Sequence, residues 1–252
     1  MNNILFKILK IYTNNIKMVL FISPPFGNYI NFPNTTSIRG SFTLNERPGK
    51  WLQIIKTLRY NFVFNGWVNK IGLRNPGIDY AIKTYKKGEI ISIAIMNKNE
   101  IKNLINKIPE NMDIELNVSC PNTDKHMINN GLKDFLNPKR EWCIIKLPAN
   151  PKYEDINRYY KEGFRQFHAS NTLPIRNGGL SGPTLKSYTT DTIKYLRNSL
   201  PSDIIIIAGG GIRSLKDIDD YSKLGAQHFS ISTLCFNPIS FLKFYWEFTN
   251  KF

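Results

Sequence analysis

The chain has 252 residues, of which 42% are hydrophobic, and this is enough for one well-buried domain. Its formal net charge of +15 suits an anionic partner such as a phosphate, a carboxylate, a nucleic acid or a membrane face. The lysines and arginines are spread along the chain without a long basic block, which favours a composition bias over a nucleic-acid footprint. We therefore expect no nucleic-acid partner.

The cysteines and histidines exclude two common kinds of site. Cys120, Cys143 and Cys235 are odd in number and far apart, which argues against a disulfide framework and indicates a reducing, cytoplasmic compartment. The sequence contains no CxxC motif and no Cys/His cluster. We therefore expect no metal and no iron–sulfur site.

Residues 1–17 are predicted to form a leader that precedes a single domain at 18–252. They mix apolar and basic residues with partial helical spacing. Lys7 and Lys10 interrupt the apolar run, so it cannot span a membrane, and it lacks the small-residue cleavage site of a secretory signal. The alternatives for the leader are a disordered or packed segment and a weak contact with a membrane surface.

Strand and helix patterns alternate along 18–252, which indicates a parallel sheet. Strands are predicted at 18–22, 37–43, 90–96, 113–118, 141–146, 164–169, 203–208 and 226–233. Helical spacing occurs at 99–108, 132–136, 154–161, 189–199 and 238–248, and a further helix is predicted to begin at Ser214. The link at 28–36 is too short for a helical crossover and contains Pro33, so the first βα unit is expected to be degenerate.

The polar stretch that ends the strand at 113–118 carries reactive side chains. Pro121 cannot donate a ladder hydrogen bond, so the strand ends before it and Cys120 lies in a loop. Asn117 and Asn122 flank the thiol, and their carboxamides offer donors and acceptors that suit an imide-like ring. The alternative interpretation is a small buried cysteine among ordinary turn formers.

The glycines at 209–211 follow a buried strand and precede a helix. Glycines let backbone N–H groups approach an anion, and the start of a helix adds a positive dipole end. Barrels often bind phosphate with the loops after strands 7 and 8, and the last predicted strand ends at Ser232 and Thr233. The pattern predicts a phosphate site, with a plain glycine turn as the alternative.

The run N-V-S-C-P-N-T at 117–123 resembles the active-site loop of dihydroorotate dehydrogenases, in which the cysteine is the catalytic base. Other segments that resemble the family follow in its order: I-R-G-S-F-T-L-N-E-R-P-G at 38–49, W-V-N-K-I-G-L-R-N-P-G at 67–77, E-W-C-I-I-K at 141–146, A-S-N-T at 169–172 and N-G-G-L-S-G at 177–182. The resemblance implies a (β/α)8 TIM barrel that binds FMN and oxidises dihydroorotate to orotate in pyrimidine biosynthesis.

The resemblance also implies roles for individual residues. Cys120 and Lys146 would be catalytic, the first as the base and the second beside the flavin. The expected cofactor-binding residues are Ser41, Asn117, Lys146, Ser170, Ser181, Gly182, Gly210, Gly211, Ser232 and Thr233. The expected substrate-binding residues are Asn69, Ile71, Gly72, Leu73, Asn117, Asn122, Asn171 and Thr172.

Several alternatives stay open at this point. Many members have a lysine at the position of Gly40, whereas the quinone-linked members have a glycine there, as this chain does. A cysteine base, in contrast, resembles the cytosolic class. The electron acceptor is therefore undecided. A homodimer is a further option. The missing first helix and short loops would also fit an inactive barrel that serves as a binding protein. A tRNA dihydrouridine synthase is likewise an FMN barrel with an active-site cysteine.

Overall fold

The computed structural model describes residues 18–118 and 131–251. The predicted leader lies outside the described residues, and so do Cys120 and Asn122.

Twelve strands occur in the described residues. They are β1 (Leu20–Ile22), β2 (Thr35–Phe42), β3 (Arg59–Asn61), β4 (Gly66–Asn69), β5 (Ile90–Ile93), β6 (Ile114–Asn117), β7 (Cys143–Lys146), β8 (Gln166–Ala169), β9 (Leu173–Ile175), β10 (Gly178–Ser181), β11 (Ile205–Gly209) and β12 (His228–Ile231). The α-helices in the same part of the chain are α1 (Lys50–Thr57), α2 (Ile78–Lys83), α3 (Glu100–Lys107), α4 (Tyr153–Lys161), α5 (Leu185–Ser199), α6 (Leu215–Lys223) and α7 (Pro238–Lys251).

Eight of these strands close into a barrel in the order β1–β12–β11–β8–β7–β6–β5–β2, and every neighbouring pair is parallel. The predicted (β/α)8 barrel is confirmed. Side chains from several strands pack together and fill the interior, and this layer comprises Phe21, Ile38, Ile90, Trp142, Ile144 and Ile207. Their alternate neighbours on the same strands, such as Leu20 and Ile91, belong to the larger core that includes the helices.

The first βα unit is degenerate, as predicted, because a single 3-10 turn at Phe26–Asn28 replaces the helix between β1 and β2. A Cβ atom on Gly27 would lie 2.1 Å from the carbonyl oxygen of Ile38 and 2.3 Å from that of Ile22, so only glycine fits where the turn crosses the strand ends. The Asn28 side chain ties this turn to β2 by two hydrogen bonds. Its Oδ1 accepts from the Gly40 N–H at 3.0 Å, and its Nδ2 donates to the Gly40 carbonyl at 3.1 Å.

A second sheet, with the antiparallel order β3–β4–β10–β9, was not predicted. The segment at 177–182, which the sequence indicated as a glycine-rich loop, contains strand β10 instead. The glycines allow this pairing because the two backbones come very close. A Cβ atom on Gly178 would lie 2.2 Å from the Asn69 carbonyl oxygen, and one on Gly66 would lie 2.4 Å from that of Ser181.

Among the helices of the described residues, none combines the length and the apolar character needed to cross a membrane.

His228 lies in the barrel wall at the start of β12 and is 2% exposed. Its Nδ1 accepts a hydrogen bond from the Val19 N–H at 3.1 Å, and its ring packs edge-on against Phe21 and Trp142. Burial lowers the pKa of His228 from 6.5 to about 4. The folded chain therefore holds this ring neutral at a pH where the unfolded chain would protonate it.

We predict that His228 makes the free energy of unfolding fall by about 2 kcal/mol between pH 7 and pH 5, because only the unfolded chain takes up a proton there. The loss begins near the ordinary pKa of 6.5 and stops below about 4, where the folded chain is protonated as well. Urea unfolding at both pH values would measure it. His228→Asn keeps an acceptor for Val19 but does not titrate, so a pH dependence equal to that of the parent would contradict the prediction.

Candidate active site

A cavity of about 680 Å³ opens at the carboxyl-terminal ends of the barrel strands, the end at which barrel enzymes build their sites. Asn117, Lys146 and Gly209 are the last residues of β6, β7 and β11, and all three line it. The predicted site residues that line this cavity are Ser41, Asn69, Ile71, Gly72, Leu73, Asn117, Lys146, Ser170, Asn171, Thr172, Ser181, Gly210, Gly211, Ser232 and Thr233.

Gly182 is the exception among the described site residues, since it is not part of the cavity lining. Its φ is +129°, and a Cβ atom there would lie 2.9 Å from the Cα of Gly66. The structure therefore places Gly182 against the start of β4, where it allows the second sheet to pack closely. Cys120 and Asn122 cannot be placed because they lie outside the described residues.

A buried network of charged and polar side chains lies at the cavity floor and joins β5, β6, β7 and β8. The Lys146 Nζ is 3.4 Å from Glu115 Oε1, and the His168 Nδ1 is 2.6 Å from Glu115 Oε2. The Ser92 hydroxyl donates to Glu115 Oε1 at 2.8 Å. All four residues are buried, and Glu115 has no exposed surface. One carboxylate thus holds an ammonium, an imidazole and a hydroxyl.

The sequence reasoning missed Glu115, His168 and Ser92. A signal was present for Glu115, because it stands two residues before Asn117 on the same strand and the two side chains must point to the same side of the barrel wall. An acid or a histidine inside an otherwise apolar strand needs a buried partner. That partner could not be identified from the sequence, since it lies on a neighbouring strand.

The protonation states follow from burial and from the neighbouring charges. Burial alone would raise the pKa of Glu115, but the Lys146 ammonium and the contacts with His168 and Ser92 bring the pKa down to about 2. Burial, with the Lys146 charge, lowers the pKa of His168 below its ordinary value. A neutral imidazole that bonds a carboxylate through Nδ1 carries its proton on that nitrogen. The network at neutral pH is therefore one carboxylate, one ammonium and one neutral ring.

A chain of polar side chains continues from this network along the cavity wall. The Ser41 hydroxyl lies 3.0 Å from that of Ser92 and accepts from Asn117 Nδ2 at 2.9 Å. Asn171 Nδ2 in turn donates to Asn117 Oδ1 at 3.1 Å. The structure thus brings together Ser41, Asn117 and Asn171, which the sequence had predicted as separate contacts. The side-chain amides of Asn117 and Asn171 are therefore held in fixed orientations at the cavity wall.

The turn after β11 has the features of an anion site. Gly210 and Gly211 have φ values of +112° and +78°, and no hydrogen bond within the described residues uses their N–H groups. A Cβ atom on Gly211 would lie 2.4 Å from the Lys186 side chain, so the turn has no room for a side chain. The Tyr221 hydroxyl donates to the Gly210 carbonyl at 2.7 Å and fixes the turn. Gly210 and Gly211 line the cavity, so a rigid turn places two N–H donors beside it.

The start of α6, next to this turn, is also fixed. Ser214 and Asp217 form a reciprocal capping box, and the Asp217 carboxylate also accepts from the Arg213 N–H at 2.7 Å. Ser214 was the N-cap that the sequence predicted. The capping box orders the helix whose N-terminus follows the glycine turn.

The family model for dihydroorotate dehydrogenase matches residues 28–139 and 158–243. The dihydroorotate dehydrogenase B (NAD(+)) catalytic subunit of Malacoplasma penetrans is 29% identical over 235 residues, which are 78% of this chain and 74% of that protein. The subunit of the same name from Staphylococcus carnosus is 26% identical over 210 residues, which are 69% of this chain and 68% of that protein.

The fold agrees with these sequence matches. A crystal structure of the Eimeria tenella DHODH in complex with ferulenol has a TM-score of 0.67 to this chain at 15% identity, and the alignment covers 88% of this chain and 77% of that one. Because the family model matches more than half of the chain and the barrel is of the same architecture, the chain belongs to the dihydroorotate dehydrogenase family.

Proposed function

We propose that this chain oxidises dihydroorotate to orotate with FMN as its cofactor. The family is one of flavin-dependent oxidoreductases. The observation that carries the proposal is that one cavity is lined by Lys146, the Asn117–Asn171 pair and the Gly210–Gly211 turn. A cation, oriented amides and an anion site are what a phosphorylated redox cofactor and a planar imide substrate need.

FMN fits the chemistry of the donors at the glycine turn. The N–H groups of Gly210 and Gly211 suit a phosphomonoester, and Ser170, Ser232 and Thr233 line the same cavity. No dinucleotide fingerprint with its downstream acid occurs in the sequence, so a mononucleotide is the better fit. When bound, the flavin supplies the acceptor for a hydride from the substrate.

The chain's own residues would hold the substrate and take up a proton. Asn69, Asn117 and Asn171 line the cavity and offer amide donors and acceptors to the pyrimidine ring. The Cys120 thiolate would remove a proton from one ring carbon while a hydride leaves the neighbouring carbon, so that a carbon–carbon double bond forms. A free thiol has a pKa of about 8.5, and this step requires surroundings that favour the thiolate.

Lys146 would supply positive charge beside the flavin and so favour its reduced form. Glu115 and His168 are positioning residues in this scheme: Glu115 holds the ammonium at 3.4 Å, and His168 holds the Glu115 carboxylate at 2.6 Å. The ionised Glu115 keeps the ammonium at the cavity floor rather than in solvent.

The phosphate site predicts a specific binding preference. We expect the apoprotein to bind FMN at least about tenfold more tightly than FAD, and Gly210→Ala to weaken FMN binding by about tenfold or more, because the left-handed turn would have to shift. Gly88→Ala is the matched control, since Gly88 also has a positive φ of +92° but lies in open space away from the cavity. Fluorescence titration measures both, and a parent that stays colourless with excess FMN would refute the proposal.

The role of Lys146 in flavin reduction can be separated from its role in stabilising the buried network. Lys146→Ala alone leaves the Glu115 carboxylate buried without its ammonium, which should cost about 3 kcal/mol of stability. The double variant Lys146→Ala/Glu115→Gln should regain most of that stability. Flavin reduction by dihydroorotate should stay about a hundredfold slower in both variants. Urea unfolding and stopped-flow absorbance measure the two effects, and recovery of the parent rate in the double variant would show that Lys146 acts only in folding.

The base and the amides should give different kinetic patterns. General base catalysis contributes about 10²- to 10⁴-fold, so Cys120→Ala should slow flavin reduction by that factor and leave orotate binding nearly unchanged. Asn117→Ala and Asn171→Ala should each weaken orotate binding by about 1 to 3 kcal/mol as well as slow the reaction, because a buried partner is left unpaired. Orotate titration beside stopped-flow reduction distinguishes the patterns. If Cys120→Ala reduced the flavin at the parent rate, Cys120 would not be the general base.

A further inference from the structure

Helix α7 carries a stripe of exposed apolar side chains. Ile239, Leu242 and Trp246 are 82%, 53% and 67% exposed. Their spacing of three and four residues makes them neighbours on one face of the helix, and we call these three residues the α7 stripe. The buried face of α7 lies opposite and comprises Phe241, Phe244 and Phe248. The helix is therefore apolar on two faces, and packing within the described residues buries only one of them.

The second half of α7 lies beside the amino end of β1. The Tyr245 hydroxyl donates to the Pro33 carbonyl at 2.9 Å. Pro33 stands two residues before Thr35, which pairs with Leu20 of β1, and paired strands are about 4.8 Å apart. Trp246 follows Tyr245 directly on the helix. The segment that precedes β1 therefore joins the barrel close to one end of the α7 stripe.

The leader, which lies outside the described residues, has a sequence complementary to the α7 stripe. On a helix over residues 4–12, the apolar residues other than Phe6 would share one side, and Lys7 and Lys10 would lie on the other. The apolar residues of that side are Ile4, Leu5, Ile8, Leu9, Ile11 and Tyr12. Nine helical residues span about 13 Å and the stripe about 10 Å. The five residues of 13–17 can bridge up to about 17 Å.

The size of the α7 stripe suits a segment of the same chain better than a second protein. A stable interface between two proteins buries about 800 Å² on each partner. Even large aromatic side chains bury only about 150 to 250 Å² each, so three side chains supply less than such an interface needs. A tethered segment can bind through a smaller area, because the chain holds it near the stripe at a high effective concentration.

We propose that residues 4–12 dock as an amphipathic helix on the α7 stripe of the same chain. The apolar side of this helix covers Ile239, Leu242 and Trp246, while Lys7 and Lys10 face solvent. An isolated helix of nine residues is marginal in water, so the segment becomes helical only through its packing on α7. The stripe is therefore an intramolecular docking site, and its occupant is the leader.

Hydrogen exchange of the full chain, read by mass spectrometry, tests the proposal. We expect the amides of residues 4–12 to exchange at least about tenfold more slowly than in a free peptide of residues 1–17, because only a packed helix protects them. Leu5→Glu and Trp246→Glu should each return exchange to within about twofold of that peptide, since either change buries a charge in the contact. Ile239→Glu, at the other end of the stripe, should lower the protection as well.

Val63→Glu is the matched control, since Val63 is 88% exposed in the turn between β3 and β4 and should leave the protection unchanged. Circular dichroism melting would show that the variants remain folded, as exposed positions should. The proposal is overturned if residues 4–12 of the parent exchange as fast as the free peptide, or if Trp246→Glu and Ile239→Glu both keep the parent's protection. It is also overturned if light scattering shows a parent dimer that Trp246→Glu dissociates, because the stripe would then join two copies.

Discussion

The buried carboxylate of Glu115 is the interaction on which the cavity floor depends. Its two oxygens hold Lys146, His168 and Ser92, which come from three other strands of the barrel. An isolated charge in such a place would be strongly unfavourable, but here hydrogen bonds and an opposite charge offset the loss of hydration. Any change at one member leaves a buried polar group of another without its partner, so the four residues act as a unit.

The same network orients the cavity wall in advance of a ligand. Ser92 connects Glu115 to Ser41, and Asn117 and Asn171 extend the chain of hydrogen bonds. Side chains that are already held in one rotamer lose little entropy when they bind, so more of the contact energy is available for affinity and alignment. The glycine turn after β11 achieves the same with backbone groups, since Tyr221 fixes the Gly210 carbonyl and no hydrogen bond within the described residues uses the N–H groups of the turn.

Much of the barrel could be predicted from the sequence, because the apolar runs of strand length and the helical spacing are local signals. Runs such as 203–208 and 90–96 coincide with buried strands, and the short link after β1 correctly indicated a degenerate unit. The second sheet could not be predicted in this way. The glycines of β10 have low strand propensity, and they form a strand only because β4, more than a hundred residues earlier, presents its backbone to them. The Glu115–His168 pair could not be predicted from the sequence for a similar reason, since the two residues are 53 positions apart.

The degenerate first unit has a consequence for how the chain assembles. β1 reaches β2 through a short turn, so this pair can form early from local contacts. The other edge of β1 pairs with β12, and the Val19 N–H donates to the ring of His228, 209 residues later. During synthesis that edge stays without its strand until nearly the whole chain has left the ribosome. Barrel closure is therefore a late, long-range event, and an unpaired β1 edge is the part of the nascent chain most open to wrong pairing.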